Sequence, residues 1–193
     1  MKKIAIIGGP CSGKTVLAQQ LNIELKMKGF ESRFVEEYPT DYIMVCGPPR
    51  GYLEQAIIMM GQIEKEKRYE KLNSDYLVCD YASFVALAYY QLMDGGAGSL
   101  ENTREKYFHC QELIARVACE HLLTYNFLFL ADPRDIVFKK DSVRFQNSKD
   151  EALKIHAALE RWLIDHRATY HGISGTLEQR VKGVLKILGN PTK

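Results

Sequence analysis

The eight residues Gly8-Gly9-Pro10-Cys11-Ser12-Gly13-Lys14-Thr15 restrict what this chain can fold into more than any other stretch. They fit G-x-x-x-x-G-K-S/T, a loop whose backbone wraps phosphate groups. Lys3 to Ile7 is a short apolar run of β-branched type, and Thr15 to Lys28 carries Leu17, Leu21 and Leu25 at a helical spacing. The motif therefore sits between a strand and a helix. In that setting the glycines let successive N–H groups face one anion, and the helix opening near Lys14 adds the positive end of its dipole. Lys14 would reach the β- and γ-phosphates of ATP, and the Thr15 hydroxyl would ligate Mg²⁺.

Acids arrive on the same side. Ser32 to Glu37 reads as a second strand ending in Glu36 and Glu37, and Asp75 to Asp80 as a third ending in Asp80. Ligands of open parallel sheets lie beyond the carboxyl ends of the strands. Alternation sends Glu36 and Glu37 to opposite faces, so only one of them should face the loop. Asp80 could hold Mg²⁺ or the attacking hydroxyl, and it could also cap a helix over Ala82 to Met93.

Pro39, Gly47, Pro48, Pro49 and Gly51 make 38–51 look too broken for a regular element. Tyr52 to about Leu72 reads as a helix with Leu53, Ile57, Met60 and Ile63 along its apolar stripe and a solvated charged half that includes the Glu64–Arg68 pair. Asp94 to Ser99 is a break, Thr103 to Leu123 a helix, and Tyr125 to Ala131 an apolar strand. The segment that follows concentrates Arg134, Lys139, Lys140, Arg144 and Lys149, cations of the kind phosphoryl transfer needs over the moving group. Ser148 with Glu151, and Thr176 with Gln179, are capping boxes opening the last two helices, with a short strand at 169–173 between them. The element order calls for an α/β P-loop NTPase fold, a five-stranded parallel sheet with helices on both faces. The length of 193 residues fits one domain over 1–193.

Composition removes some functions. A net charge of +2 gives little support for a long nucleic-acid track, though a local basic patch near Lys139 could meet a DNA backbone. The five cysteines form no C-x-x-C pair or zinc spacing, which points to a reducing, cytoplasmic setting. No apolar run approaches the ~18 residues that span a bilayer, so no membrane partner is expected.

The phosphate loop, the acidic stretch Glu36-Glu37-Tyr38, the strand ending in Asp80, Asp135-Ile136-Val137-Phe138 with Asp141-Ser142-Val143-Arg144, and the stretch Gly175 to Arg180 together carry a resemblance. The chain resembles the ribosylnicotinamide kinase domain of bacterial nicotinamide-nucleotide regulators and related small AAA-like kinases. The resemblance implies sheet order 2-3-1-4-5, ATP and Mg²⁺ as cofactors, and a lid over about 132–148. It implies that Arg144 is a lid arginine, that Ser174, Gly175 and Thr176 border the adenine, and that Glu37 is the acid near the acceptor. The family shows Asp-Gly where this chain has Asp141-Ser142, and an Asp-Thr pairing absent between Asp80 and Tyr90. Some members of the group phosphorylate hydroxymethylated pyrimidines in phage DNA.

These readings converge on a kinase. Lys14, Glu37, Asp80 and Arg144 would be catalytic, with Glu37 or Asp80 taking the hydroxyl proton. Gly8, Gly9, Pro10, Cys11, Ser12, Gly13, Lys14, Thr15, Gly175 and Thr176 would bind the nucleotide, and Thr15 and Asp80 the metal. The acceptor would be a small nucleoside-like molecule or a modified base in DNA, with Tyr38, Tyr42, Tyr81, Tyr89 or Tyr90 available to stack on a ring. The alternative is a P-loop ATPase switch working with a protein partner. Tyr81 follows Asp80 where such an ATPase needs a glutamate to activate water, and no guanine-reading Asn-Lys-x-Asp motif is present.

Overall fold

The computed structural model describes residues 1–93, 104–136 and 148–192. Five strands, β1 (Lys2–Ile7), β2 (Ser32–Val35), β3 (Tyr76–Cys79), β4 (Phe127–Ala131) and β5 (His171–Ile173), form one parallel sheet in the order β2-β3-β1-β4-β5. The helices are α1 (Lys14–Met27), α2 (Tyr38–Cys46), α3 (Tyr52–Glu70), α4 (Val85–Met93), α5 (Arg104–Leu122), α6 (Lys149–Asp165) and α7 (Leu177–Ile187).

Alternation along the central strands separates two apolar layers. Ile4, Ile6, Val78, Phe129 and Ala131 point to one face, where Leu17, Leu21 and Leu25 of α1 meet Val181 and Val184 of α7. Ala5, Ile7, Leu77, Cys79, Leu128 and Leu130 point to the other, against Ile58 and Met59 of α3, Val85 of α4 and Leu159 and Trp162 of α6. A strand buried on both sides reads as an unbroken apolar run, which is why β1 looks as it does in the sequence.

Both predicted caps form: Ser148 Oγ accepts the Glu151 N–H, and Thr176 and Gln179 close a full capping box on α7. Gly29, at φ 87°, ends α1.

Four expectations need correction. Residues 38–46 are the helix α2, because Pro39 lies in its first turn, where a missing N–H costs nothing, and Gly47 at φ 76° ends it before the other breakers. The second strand stops at Val35, since Glu37 becomes the extended residue that precedes α2. The apolar stripe of α3 is displaced: Leu53, Ile57 and Met60 are about half exposed, while Gln55, Ala56, Ile58, Met59, Gln62, Ile63 and Glu66 are buried. Periodicity misplaces this face because three of its members are polar, and the charged half of the helix is not wholly solvated. Finally, α4 starts at Val85, so Asp80 lies too far upstream to cap it.

The break at Asp94–Ser99 and most of the lid segment, including Lys139, Lys140 and Arg144, lie outside the described residues.

Candidate active site

The phosphate loop leaves β1 and returns as α1 through two left-handed residues, Cys11 at φ 56° and Gly13 at φ 73°. Such a reversal turns consecutive N–H groups inward, the concavity that holds an anion. Gly13 is the residue that adopts this conformation without strain. Gly9 is required for another reason: a Cβ there would stand 2.7 Å from the Ala152 carbonyl oxygen of α6. The loop is thus wedged against α6. The first turn of α1 carries neither an acid nor a side-chain cap, so its N–H groups and dipole face the loop without a competing carboxylate.

Lys14 is buried to 8 % exposure, and its ammonium stands 3.3 Å from Glu37 Oε2. Glu37 also accepts a hydrogen bond from Thr40 Oγ1 at 2.6 Å, which fixes the carboxylate from α2. Glu36 points away and is mostly exposed, 4.0 Å from Lys65 Nζ. Asp80 is 1 % exposed, and its N–H donates to the Val35 carbonyl at 2.9 Å, locking the ends of β2 and β3 side by side. The two acids, Glu37 and Asp80, therefore leave neighbouring strands at the same edge as the phosphate loop. Tyr81 is buried, and that burial, with Tyr89 and Glu37 nearby, pushes its hydroxyl well above the usual range. Tyr38 is half-buried, with its ring against Gly61 of α3.

Gly175 donates its N–H to Asp135 Oδ2 at 2.6 Å, which draws the loop after β5 toward the segment after β4. The Thr176 hydroxyl is occupied in capping Gln179. Among the described cations after β4, Arg134 is held by Asp132 through Nε, Nη2 and the backbone N–H. These bonds hold the Asp132 carboxyl down at about 2. Lys149 donates to the Arg134 carbonyl at 3.1 Å.

The sequence reading assigned no role to Arg180. It is 2 % exposed and donates to three carbonyls: Ser12 at 2.6 Å, Gly175 at 2.8 Å and Asp132 at 2.6 Å. One guanidinium thereby fastens the phosphate loop, the end of β4 and the loop after β5 to one another. Burial lowers its pKa, and Asp135 and Asp132 oppose that. Its fork of rigid donors suits the task. Its only signal in the sequence was its place at the end of the Gly175–Arg180 stretch.

A parallel sheet of order 2-3-1-4-5 with a phosphate loop after β1 is the P-loop NTPase fold, shared with solved nucleoside and nucleotide kinases. More particularly, the family model described as an AAA domain matches residues 3–180, and the chain belongs to that family. Three solved structures share the fold. The NadR protein in complex with NR gives a TM-score of 0.72 at 14% identity, covering 100% of this chain and 52% of that one, so this chain spans about half of NadR. Deoxyadenosine kinase from M. mycoides with bound dATP gives 0.67 at 12% identity, covering 98% of this chain and 100% of that one. Thymidylate kinase from Candida albicans gives 0.62 at 13% identity, covering 98% and 91%. No curated protein matches the chain.

Proposed function

We propose that this protein is an ATP-dependent phosphotransferase that moves the γ-phosphoryl group of ATP to a hydroxyl of a nucleoside-like acceptor. The observation that carries the reading is the convergence of Lys14 and Glu37 at 3.3 Å, at the carboxyl edge of the sheet and beside Asp80. The left-handed turn, the uncapped start of α1 and the Lys14 ammonium fit a triphosphate. The Thr15 hydroxyl and the Asp80 carboxylate are hard oxygen donors that suit Mg²⁺. When bound, that ion would neutralise charge on the β- and γ-phosphates.

In this reading the backbone N–H groups of the loop Gly8 to Thr15, Pro10 having none, hold the phosphates and Lys14 moves from Glu37 onto the β- and γ-oxygens. That move frees the Glu37 carboxylate to face the acceptor. Glu37 or Asp80 takes the proton of the acceptor hydroxyl. The hydroxyl oxygen bonds to the γ-phosphorus as the bond from that phosphorus to the β,γ-bridging oxygen breaks, and ADP leaves with the electron pair. Little covalent work falls to the protein, so positioning and charge dominate the rate. Gly175 and Thr176 would border the adenine, and Arg144, outside the described residues, would be the lid arginine near the phosphates that the resemblance implies. We read 1–193 as one domain acting in the cytoplasm. The acceptor class extends from a free nucleoside or nucleotide to a hydroxymethylated pyrimidine in DNA. Among the described residues no helix is long and apolar enough to cross a membrane.

The test is transfer of label from γ-labelled ATP to nucleosides, nucleoside monophosphates, ribosylnicotinamide, and DNA with and without hydroxymethylated bases. Lys14→Ala serves as the blank. Label on one acceptor class establishes the kinase. Free phosphate alone, released at a rate indifferent to every acceptor, overturns it in favour of an ATPase switch.

A further inference from the structure

A buried polar chain crosses the molecule from the far end of the sheet to the candidate site, and the chemistry above makes no use of it. At the start of β1, Lys3 places its ammonium 2.7 Å from Glu66 Oε2 and 2.7 Å from Glu70 Oε1. The other oxygen of Glu66 accepts from Gln62 Nε2 at 2.8 Å and from the Tyr125 hydroxyl at 2.9 Å. Each of those two partners makes a second bond, and each second bond leads to the site. Gln62 Oε1 accepts the N–H of Tyr38, the residue after Glu37, at 2.8 Å. The Tyr125 hydroxyl accepts the N–H of Ser83, three residues past Asp80, at 3.2 Å. Ser83 Oγ is held in turn by His121 Nδ1 at 2.7 Å.

Stability alone is a weak reason for such an arrangement. Removing two charges from water costs several kcal/mol per ion, and apolar replacements of similar volume often do as well or better. What a network of interlocked buried hydrogen bonds supplies is a single geometry. Here one carboxylate oxygen holds two arms, and the arms end on the backbone next to Glu37 and three residues past Asp80.

We propose that Glu66, acting through Gln62 and Tyr125, is a positioning residue that sets the spacing between the Glu37 and Asp80 carboxylates and hence the place of the acceptor hydroxyl. This rests on the kinase reading for its catalytic consequence, and on the hydrogen bonds alone for the positioning itself. Glu37 meets Lys14 of α1 and Thr40 of α2, so a shift of Tyr38 alters both contacts at once.

The experiment compares wild type, Gln62→Met, and the double variant Gln62→Glu with Glu66→Gln. Methionine keeps the length and removes both hydrogen-bonding groups. The double variant exchanges acid and amide, retaining one negative charge and an acceptor facing Tyr38. It rebuilds the Gln62 arm alone, since the amide nitrogen introduced at position 66, turned toward the carboxylate introduced at position 62, no longer accepts from Tyr125. Gln62→Met should lower kcat about 10- to 100-fold, as sub-ångström to ångström misplacement does. Its affinity for a non-hydrolysable ATP analogue should stay within about threefold. The exchanged pair should recover kcat to within about fivefold of wild type. Unchanged kcat in a folded Gln62→Met variant, or no recovery in the exchanged pair, overturns the proposal. If wild type transfers label to no acceptor, the kinase reading is what fails. The carbon-13 carboxyl resonance of Glu37 in the nucleotide-free protein then decides the positioning. Gln62→Met should displace it and the exchange return it, and an unmoved resonance overturns the proposal. Should Gln62→Met not fold, Tyr125→Phe is judged in the same way on kcat and on the Asp80 resonance.

Discussion

Lys3 and Lys14 each meet a glutamate at opposite ends of β1, and the two pairs are built differently. Lys3 and Glu66 stand 2.7 Å apart with side-chain exposures of 3% and 0%. Lys14 and Glu37 stand 3.3 Å apart with exposures of 10% and 22%. The first pair is enclosed by Glu70, Gln62, Thr124 and Tyr125, so every direction of approach is taken by protein. The second remains partly open to water. Burial pushes the Glu66 carboxyl upward, opposed by Lys3, Gln62 and Tyr125. Burial likewise lowers the Lys3 pKa, but Glu66 and Glu70 together with Cys79 outweigh it and carry the ammonium above its ordinary range. The same two functional groups form a fixed strut at one end of the strand and an exchangeable contact at the other, and what separates them is enclosure.

The largest effect that would break this comparison is on stability. Lys3→Met leaves a carboxylate buried without its cation and should cost about 3–5 kcal/mol in urea unfolding, while the folded fraction keeps its nucleotide affinity. If the loss is under about 1 kcal/mol, the two pairs are alike after all. Next comes Lys14→Ala, which should lower phosphoryl transfer about 10²- to 10³-fold and leave the urea midpoint nearly unchanged. A large stability loss here would make Lys14 a strut as well.

The pH dependence sharpens the contrast. Burial, with Lys3 and Lys67 nearby, holds His121 neutral and lowers its pKa to about 3, against 6.5 for the free group. The folded state therefore binds this proton more weakly than the unfolded state. The stability His121 confers is complete above about pH 6.5 and drains away as the pH falls toward 3, at up to about 1.4 kcal/mol per unit. Relative to His121→Gln, wild type should lose stability across that window. Parallel curves would mean the histidine is already accessible to protons. The smallest effect is expected where the exposed Arg134 meets the half-buried Asp132 and lowers its carboxyl from 3.8 to about 2. Its contribution is present above about pH 3.8 and lost as the pH falls through 2. Arg134→Gln should return the Asp132 titration toward 3.8, and salt should do part of the same.

The elements that the sequence places well are those whose causes are local. The phosphate loop, the buried run of β1, the 17-21-25 leucines of α1 and the Thr176–Gln179 box are each set by residues a few positions apart. The errors at α2 and α3 have one origin. Pro39 breaks a helix interior but costs nothing in a first turn, and the charged half of α3 reads as solvated although Glu66 is buried there along with Gln55 and Gln62.

By itself, then, the sequence determined the fold class, the strand–loop–helix that carries Lys14, and the arrival of acids at the same edge. Only the tertiary structure decided that Glu37 and not Glu36 meets Lys14, that Arg180 clamps the loop, and that Glu66 belongs to the interior. A cap or a turn is fixed by neighbours in the chain, whereas a buried polar group is stable only where partners from elsewhere satisfy it. Those partners lie far off: Tyr125 is 59 residues from Glu66, and Arg180 is 168 from Ser12. No local pattern can announce a bond whose two ends meet only when the sheet has closed.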